Sequence, residues 1–580
     1  VEKQVRAAYQ TRWRKVWWWN HDSGLQVTPA GAPDALQAAG AVDLPKGKTM
    51  TPSLKKLITL GLLMAPLGAF AQPGALTEVG IDSGRLKGSQ SGDVISFKGI
   101  PFAAPPVGEN RWRAPQRVKP WRGVREATAY GADCMQKPMA SDAAPLGVEP
   151  SEDCLYLNVW RPAQETANRK ATLPVVVWIY GGGYVNGGAS PSVYDGSAFA
   201  RDGVVFVSFN YRLGRFGFFG HPALTAAKEG PLGNYGYMDQ IAALQWVKRN
   251  IRQFGGDPNN VTVMGESAGG GSVLNITTTP LTRGLFDRAI VMSGGGRSLM
   301  GELHEISRDL PGNPSAETIG KNFARSVGVE GTGSEALKAL RELPANRVLG
   351  DLNMMTMGSN ASTYVGGPVL DGRVVVGTPE QVYSAGQENK VPMLIGSTSA
   401  DLGFNTAKTM EELFAPFGRE AERARQLYDP ENTGDVQAVG AAVAMDRMMT
   451  EPARFVASKI SLHDRQAFLY RFSYVADSLR SETKGAQHAS EIPYFFKTLE
   501  ARYGDKVTDK DQDMASDAHA IFVNFIKTGN PNGTNVARWL PFNREGNLVM
   551  DFAADEGPVL KEDPWKERLD LIEKTQHAKP

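Results

Sequence analysis

Short runs of β-branched and aromatic residues punctuate the chain: "LPVVVWIY" (173–180), "VVFVSFNY" (204–211), "VTVM" (261–264), "AIVMS" (289–293), "VPMLIG" (391–396) and "AFLYRFSY" (467–474). They are too rich in Val, Ile and Phe to be amphipathic, so strands built from them need cover on both faces. Segments with helical spacing lie between them, most clearly 238–254, where Ile241, Leu244, Val247, Ile251 and Phe254 recur on one side. Strands that alternate with helices predict an α/β architecture, a mostly parallel central sheet flanked by helices. Residues 297–390 and 405–465 read as mainly helical insertions that cap the sheet.

A chain of 580 residues buries a large core without metals or a dense disulfide network. Its 63 Lys and Arg against 62 Asp and Glu leave a formal charge of +1, which gives no footprint for nucleic acid or an acidic membrane surface. Small-molecule partners are expected instead. Residues 1–49 hold the basic, Trp-rich "TRWRKVWWWN" and then a Pro/Ala/Gly-rich stretch without hydrophobic period, and the first methionine is Met50. They are read as sequence upstream of the protein proper, the alternative being a genuine extension. From Met50 the pattern is that of a signal peptide: Lys55 and Lys56, the apolar "LITLGLLMAPLGAF", and the small-x-small Ala69-Phe70-Ala71. Residues 50–71 are therefore expected to direct export to the periplasm or medium, and 72–580 to be a single α/β domain. The apolar stretch is shorter than the ~20 residues of a membrane span. Two cysteines, Cys134 and Cys154, suit one bridge closing a surface loop in an exported protein, with two unpaired thiols as the alternative. Neither their spacing nor neighbouring histidines suggest zinc.

The chemistry centres on "VTVMGESAGG" (261–270). A strand ending at Met264 that turns at once into a helix near Ala268 makes a tight corner, with glycines where side chains would collide and Ser267 exposed at the strand's carboxyl edge. Such a serine needs amide donors for an oxyanion, and "WIYGGGYVNGG" (178–188) places a glycine triplet just after another strand. Gly182, Gly183 and Ala268 are assigned as the donors. It also needs a downstream base and a carboxylate to orient that base. Among the later histidines, His519 sits in a helical run and His577 in a polar tail, whereas His488, in "GAQHASEIPYFF", follows a strand and suits a site at the sheet edge. Asp401, a few residues past the strand at 391–396, is the favoured acid; Asp371, in the turn signal Asp-Gly, is its competitor. Glu266, beside the serine, is assigned a supporting role. No cofactor is required.

Together these stretches resemble the type B carboxylesterases, the α/β-hydrolase family that includes cholinesterases and many bacterial esterases. The resemblance covers nearly all of 75–545 and rests on "FKGIPFAAPPVGENRW" (97–112), "EDCLYLNVWRP" (152–162), "WIYGGGY", "NYRLGRFGFFG" (210–220), "GNYGYMDQIAALQWVKRNI" (233–251), "FGGDPNNVTVMGESAGG" (254–270) and "TGNPNG" (528–533). It implies an α/β-hydrolase fold, the Cys134–Cys154 disulfide, His488 as catalytic histidine, and ester hydrolysis through an acyl-enzyme. The chain departs from the family in having Asp401-Leu402-Gly403 where Glu-Gly is usual, and Ala489 after the histidine where Gly is common. The loop between the cysteines has no tryptophan to hold a quaternary ammonium, which argues against choline esters. Lipase or aromatic-ester hydrolysis is the nearest alternative, and a non-catalytic binding module a remote one. An ordinary histidine base would make activity rise with pH near ~6.5–7.

Overall fold

The computed structural model describes residues 77–139, 144–164, 172–297, 303–462, 465–553, 555 and 557–576. The expected extension at 1–49 and signal peptide at 50–71 lie outside the described residues. An 11-stranded sheet organises the chain. Its strands, in chain order, are β1 (Ser89–Ser91), β2 (Val94–Pro101), β3 (Tyr156–Pro162), β4 (Leu173–Ile179), β5 (Val205–Phe209), β6 (Gly256–Glu266), β7 (Arg288–Met292), β8 (Met393–Thr398), β9 (Ala467–Phe472), β10 (Leu548–Ala553) and β11 (Gly557–Glu562). In space they run β1-β2-β3-β5-β4-β6-β7-β8-β9-β10-β11. Neighbours from β5 to β10 are parallel, whereas β1, β2 and β3 at one edge and β11 at the other pair antiparallel.

Each expected strand is present, and the absence of alternation has the expected cause. Val175, Val176, Val177, Trp178 and Ile179 of β4 are all fully buried, as a strand covered on both faces requires. Strand β6 begins earlier than its apolar run. Pro258, Asn259 and Asn260 are residue types that ordinarily break a strand, yet a register shift between Gly256 and Val261 accommodates them as an irregularity within it. The helix at 238–254 begins instead at Tyr235 and ends at Asn250, and Ile251–Phe254 tightens into a 3₁₀ turn closed by Gly255. The insertions are helical, as expected. Ala316–Ser326, Ser334–Glu342, Ala345–Leu349 and Pro379–Ser384 lie between β7 and β8; Met410–Phe414, Ala421–Tyr428, Val436–Met445 and Glu451–Ser461 lie between β8 and β9. Each insertion packs into an apolar cluster shared with the rest of the chain: Phe323, Leu340 and Val369 with Trp112, Phe219 and Tyr235, and Phe414, Phe417 and Tyr428 with Leu571 and Ile572.

Cys134 and Cys154 are joined by a disulfide. Among the described residues no helix is long and apolar enough to cross a membrane.

The segment after β5 is fastened to helix Tyr235–Asn250 by a buried ion pair. Arg212 donates from Nε and Nη2 to the two oxygens of Asp239, each at 2.8 Å, and its backbone amide adds a bond of 3.0 Å. The side chains are 3% and 0% exposed. Replacing such a pair by apolar residues can be neutral, but deleting one partner strands a buried charge. Asp239→Ala is therefore expected to lower the unfolding free energy by about 3–5 kcal/mol, read from urea denaturation curves. An unchanged midpoint would show that Arg212 finds another partner.

Candidate active site

Strand register decides which loops meet. Met264 of β6 pairs with Trp178 of β4, and Gly265 with Ile179, so the glycine triplet 181–183 and the sequence Glu266-Ser267-Ala268 leave the sheet side by side. They are so close that a Cβ added at Gly181 would lie 2.8 Å from the Cβ of Ser267. Ser267 turns the chain with φ 57° and ψ −123°, a left-handed conformation that L-residues adopt rarely, and helix Ala268–Thr278 starts at the next residue. Its amide donates to the Met292 carbonyl at 2.9 Å and its carbonyl accepts from Gly271 at 2.8 Å, which fixes both sides of the corner. Gly269 is required by approach rather than by dihedral angle, because a methyl group there would run into the Ile179 carbonyl oxygen. The Ser267 hydroxyl makes no hydrogen bond among the described residues.

Two further loops meet in the same way. Beyond β8 and β9 the chain forms one more parallel bridge, Ala400 with Gln487, closed by the Ala400 amide donating to Ala486 O at 2.8 Å. The next residues on the two sides are Asp401 and His488. His488 Nδ1 donates to Asp401 Oδ1 at 2.6 Å. Asp401 is fully buried, and its oxygens also accept from Ser293 Oγ at 2.6 Å, the Thr398 amide at 3.0 Å and the Leu402 amide at 2.7 Å. Ala489, directly after the histidine, has φ 65°, the conformation in which a glycine is free of Cβ strain.

The other imidazole nitrogen, Nε2, lies 3.1 Å from Glu266 Oε1, near enough for an ion pair although not aligned as a hydrogen bond. Burial by itself draws the His488 pKa down, but the carboxylates of Glu266 and Asp401 outweigh it and push the value up to about 10. Burial pushes Glu266 in the opposite sense for an acid, up to about 7 against the pull of His488. Asp401 stays below the usual carboxylate range: burial would raise it, but His488 and the donors from Ser293 and Thr398 prevail. A third carboxylate, Glu491, is fully buried beside these groups, and burial together with Glu266 and Asp401 holds its pKa well above the ordinary value.

The structure thus brings Ser267, Glu266, Gly182, Gly183 and Ala268 to one end of β4 and β6, and joins His488 to Asp401. It does not bring Asp371 into this group of contacts. Asp371 Oδ1 accepts the amides of Arg373, Val374 and Val375 at 3.0, 2.9 and 2.8 Å, the work of a turn residue. Sequence reasoning missed Ser293, which has no local signal because it reaches Asp401 only across the sheet. It also missed Glu491, whose signal was available: a carboxylate three residues beyond His488, at the start of helix Ile492–Phe496. Among the described residues no group of His, Cys, Asp and Glu is arranged to hold a metal.

The sequence profile of the carboxylesterase family matches residues 75–436 and 419–570. The chain belongs to the carboxylesterase family. This carboxylesterase is 34% identical over 495 residues to a fumonisin B1 esterase of Sphingopyxis macrogoltabida, covering 82% of its own length and 86% of the relative's. It is 32% identical over 505 residues to the para-nitrobenzyl esterase of Bacillus subtilis (strain 168), covering 84% and 96%. A solved PNB esterase structure superposes with a TM-score of 0.72 at 30% identity over 86% of this chain and 99% of that one. The sheet is accordingly that of an α/β-hydrolase, and the esterase is a carboxylic ester hydrolase with small-molecule esters as substrates.

The charges around His488 shift the pH dependence from that of a free imidazole. Two carboxylates hold the proton on the ring, so the rise of kcat/KM with pH is expected above the ordinary histidine value of about 6.5. Glu266→Gln removes one of the two charges, which favours the neutral ring and moves the rising limb down by roughly one to three pH units. A limb that stays in place in Glu266→Gln would mean that Glu266 carries no charge when the base is titrated.

Proposed function

We propose that this carboxylesterase is an exported serine esterase that works through an acyl-enzyme on Ser267. The observation that carries the reading is the strained backbone at Ser267, which turns a hydroxyl out beside the glycine triplet at the carboxyl end of the parallel strands. The hydrogen bond between Asp401 and His488 supports it by supplying an oriented base.

In this mechanism Ser267 Oγ attacks the ester carbonyl while His488 Nε2 takes its proton. The oxyanion of the tetrahedral intermediate accepts from the amides of Gly182, Gly183 and Ala268, with the start of helix Ala268–Thr278 adding a favourable dipole. His488 returns the proton to the departing alcohol, and water repeats the sequence on the acyl-enzyme. Asp401 keeps the proton of the neutral ring on Nδ1 and stabilises the imidazolium once Nε2 is protonated. Glu266 faces the nitrogen that must receive the serine proton, and so tunes when that nitrogen is free. Export is supported by the disulfide and by the signal pattern at 50–71. The relatives' names make a para-nitrobenzyl ester and fumonisin B1 the first substrates to try, beside nitrophenyl esters of increasing chain length.

Ser267→Ala is expected to lower kcat by about 10⁶ and to abolish covalent labelling by a fluorophosphonate, seen as a mass shift on the peptide containing residue 267. Asp401→Asn should cost about 10⁴ by imposing the wrong tautomer, whereas Asp371→Asn should leave turnover within about threefold. Near-full turnover in Ser267→Ala would sink the mechanism.

A further inference from the structure

The proposed oxyanion donors come from two separate pieces of chain, and something must hold those pieces in one arrangement. Gly182 and Gly183 belong to the loop after β4, whereas Ala268 opens the helix after β6. The residue that follows the two glycines is Tyr184, and residues 182, 183 and 184 have φ values of 105°, 61° and 63°. Glycine adopts such angles freely, but a tyrosine does not, so its surroundings must impose the conformation.

Those surroundings reach the other half of the site. The Tyr184 carbonyl accepts the Gly214 amide at 2.7 Å. Its ring stands edge-on to Phe218, with centroids 5.3 Å apart. Its hydroxyl meets the Tyr237 hydroxyl at 3.0 Å. Within helix Ala268–Thr278, Ser272 Oγ donates to the carbonyl of Ala268 at 2.8 Å and accepts from Gln240 Nε2 at 2.9 Å. The Tyr184 hydroxyl presses so closely on the first turn of helix Ala268–Thr278 that a Cβ at Gly271 would lie 2.7 Å from it.

We infer that Tyr184 is a positioning residue: its hydroxyl, held by Tyr237 and seated on the first turn of helix Ala268–Thr278, locks the Gly182–Gly183 amides and the Ala268 amide into a single oxyanion-binding geometry. The inference rests on the mechanism proposed above. It needs no contact between Tyr184 and substrate, and it separates the phenol's two parts. The ring fills space, while the hydroxyl carries the coupling. A site of this kind loses rate when donors drift by a fraction of an ångström, because the oxyanion is absent from the bound ester and develops only on the way to the tetrahedral intermediate.

Tyr184→Phe keeps the ring and deletes the coupling. In the full chain it is expected to lower kcat roughly tenfold or more, with KM within about twofold of wild type. Affinity for a trifluoromethyl ketone, which forms an oxyanion on the serine, should fall by the same factor as kcat. Tyr237→Phe should cost about as much, and the double variant no more than either single one, since both break the same chain. Unchanged kcat and unchanged ketone affinity in Tyr184→Phe overturn the inference. A loss confined to KM also overturns it, since it would make the ring a pocket wall. Ser267→Ala distinguishes the two levels of the argument: if it is inactive while Tyr184→Phe behaves as wild type, only the positioning role falls, and if it is active the underlying mechanism falls as well.

Discussion

The pairing of β4 with β6 is the constraint on which the site depends. Parallel neighbours share a carboxyl end, and the register that sets Ile179 against Gly265 makes the glycine triplet and Ser267 emerge at the same level. Because the chain places β4 between β5 and β6, a connection from β5 crosses back over it before β6 begins, which makes the carboxyl ends of β4 and β6 a switch point of the kind where open α/β sheets bind ligands. The glycines follow from that proximity. With Ile179 O against the first helical turn, no side chain fits at 269, and the tight corner that remains forces Ser267 into its left-handed conformation.

A second constraint is electrostatic. Three buried carboxylates, Asp401, Glu266 and Glu491, act on one imidazole, and burial pushes the pKa of each upward, but only two of them stay raised. Asp401 escapes the penalty of burial because donors from Ser293, Thr398, Leu402 and His488 satisfy its charge. Glu266 and Glu491 lack that set of donors and hold their protons to higher pH. The outcome is an imidazole anchored strongly on one nitrogen and modulated by a titrating neighbour on the other.

Much of this was legible along the chain. Apolar runs without alternation disclosed a sheet covered on both faces, and a serine between glycines after such a run disclosed the corner. Asp401 and His488 were legible as loop residues downstream of strands, although the choice of Asp401 over Asp371 rested on position, and that of His488 on position and on the resemblance to the type B carboxylesterases. What sequence could not express were contacts across the sheet. Ser293 lies 108 residues from the carboxylate it donates to, and Tyr184 lies 53 residues from its phenolic partner. The earlier start of β6 was hidden for a different reason, since Pro and Asn carry turn signals that a strand irregularity can absorb.

Residue order by itself therefore determined the fold class, the strands, the sharp corner at Ser267 and the glycines beside it, because each follows from hydrophobic patterning or from steric rules that act over a few residues. Tertiary structure alone decided which carboxylate meets which imidazole nitrogen, how burial redistributes their protons, and how Tyr184 is tied to the helix beside it. Those outcomes depend on strand order and register, which bring distant residues within 3 Å of each other and out of water, and no local pattern encodes either.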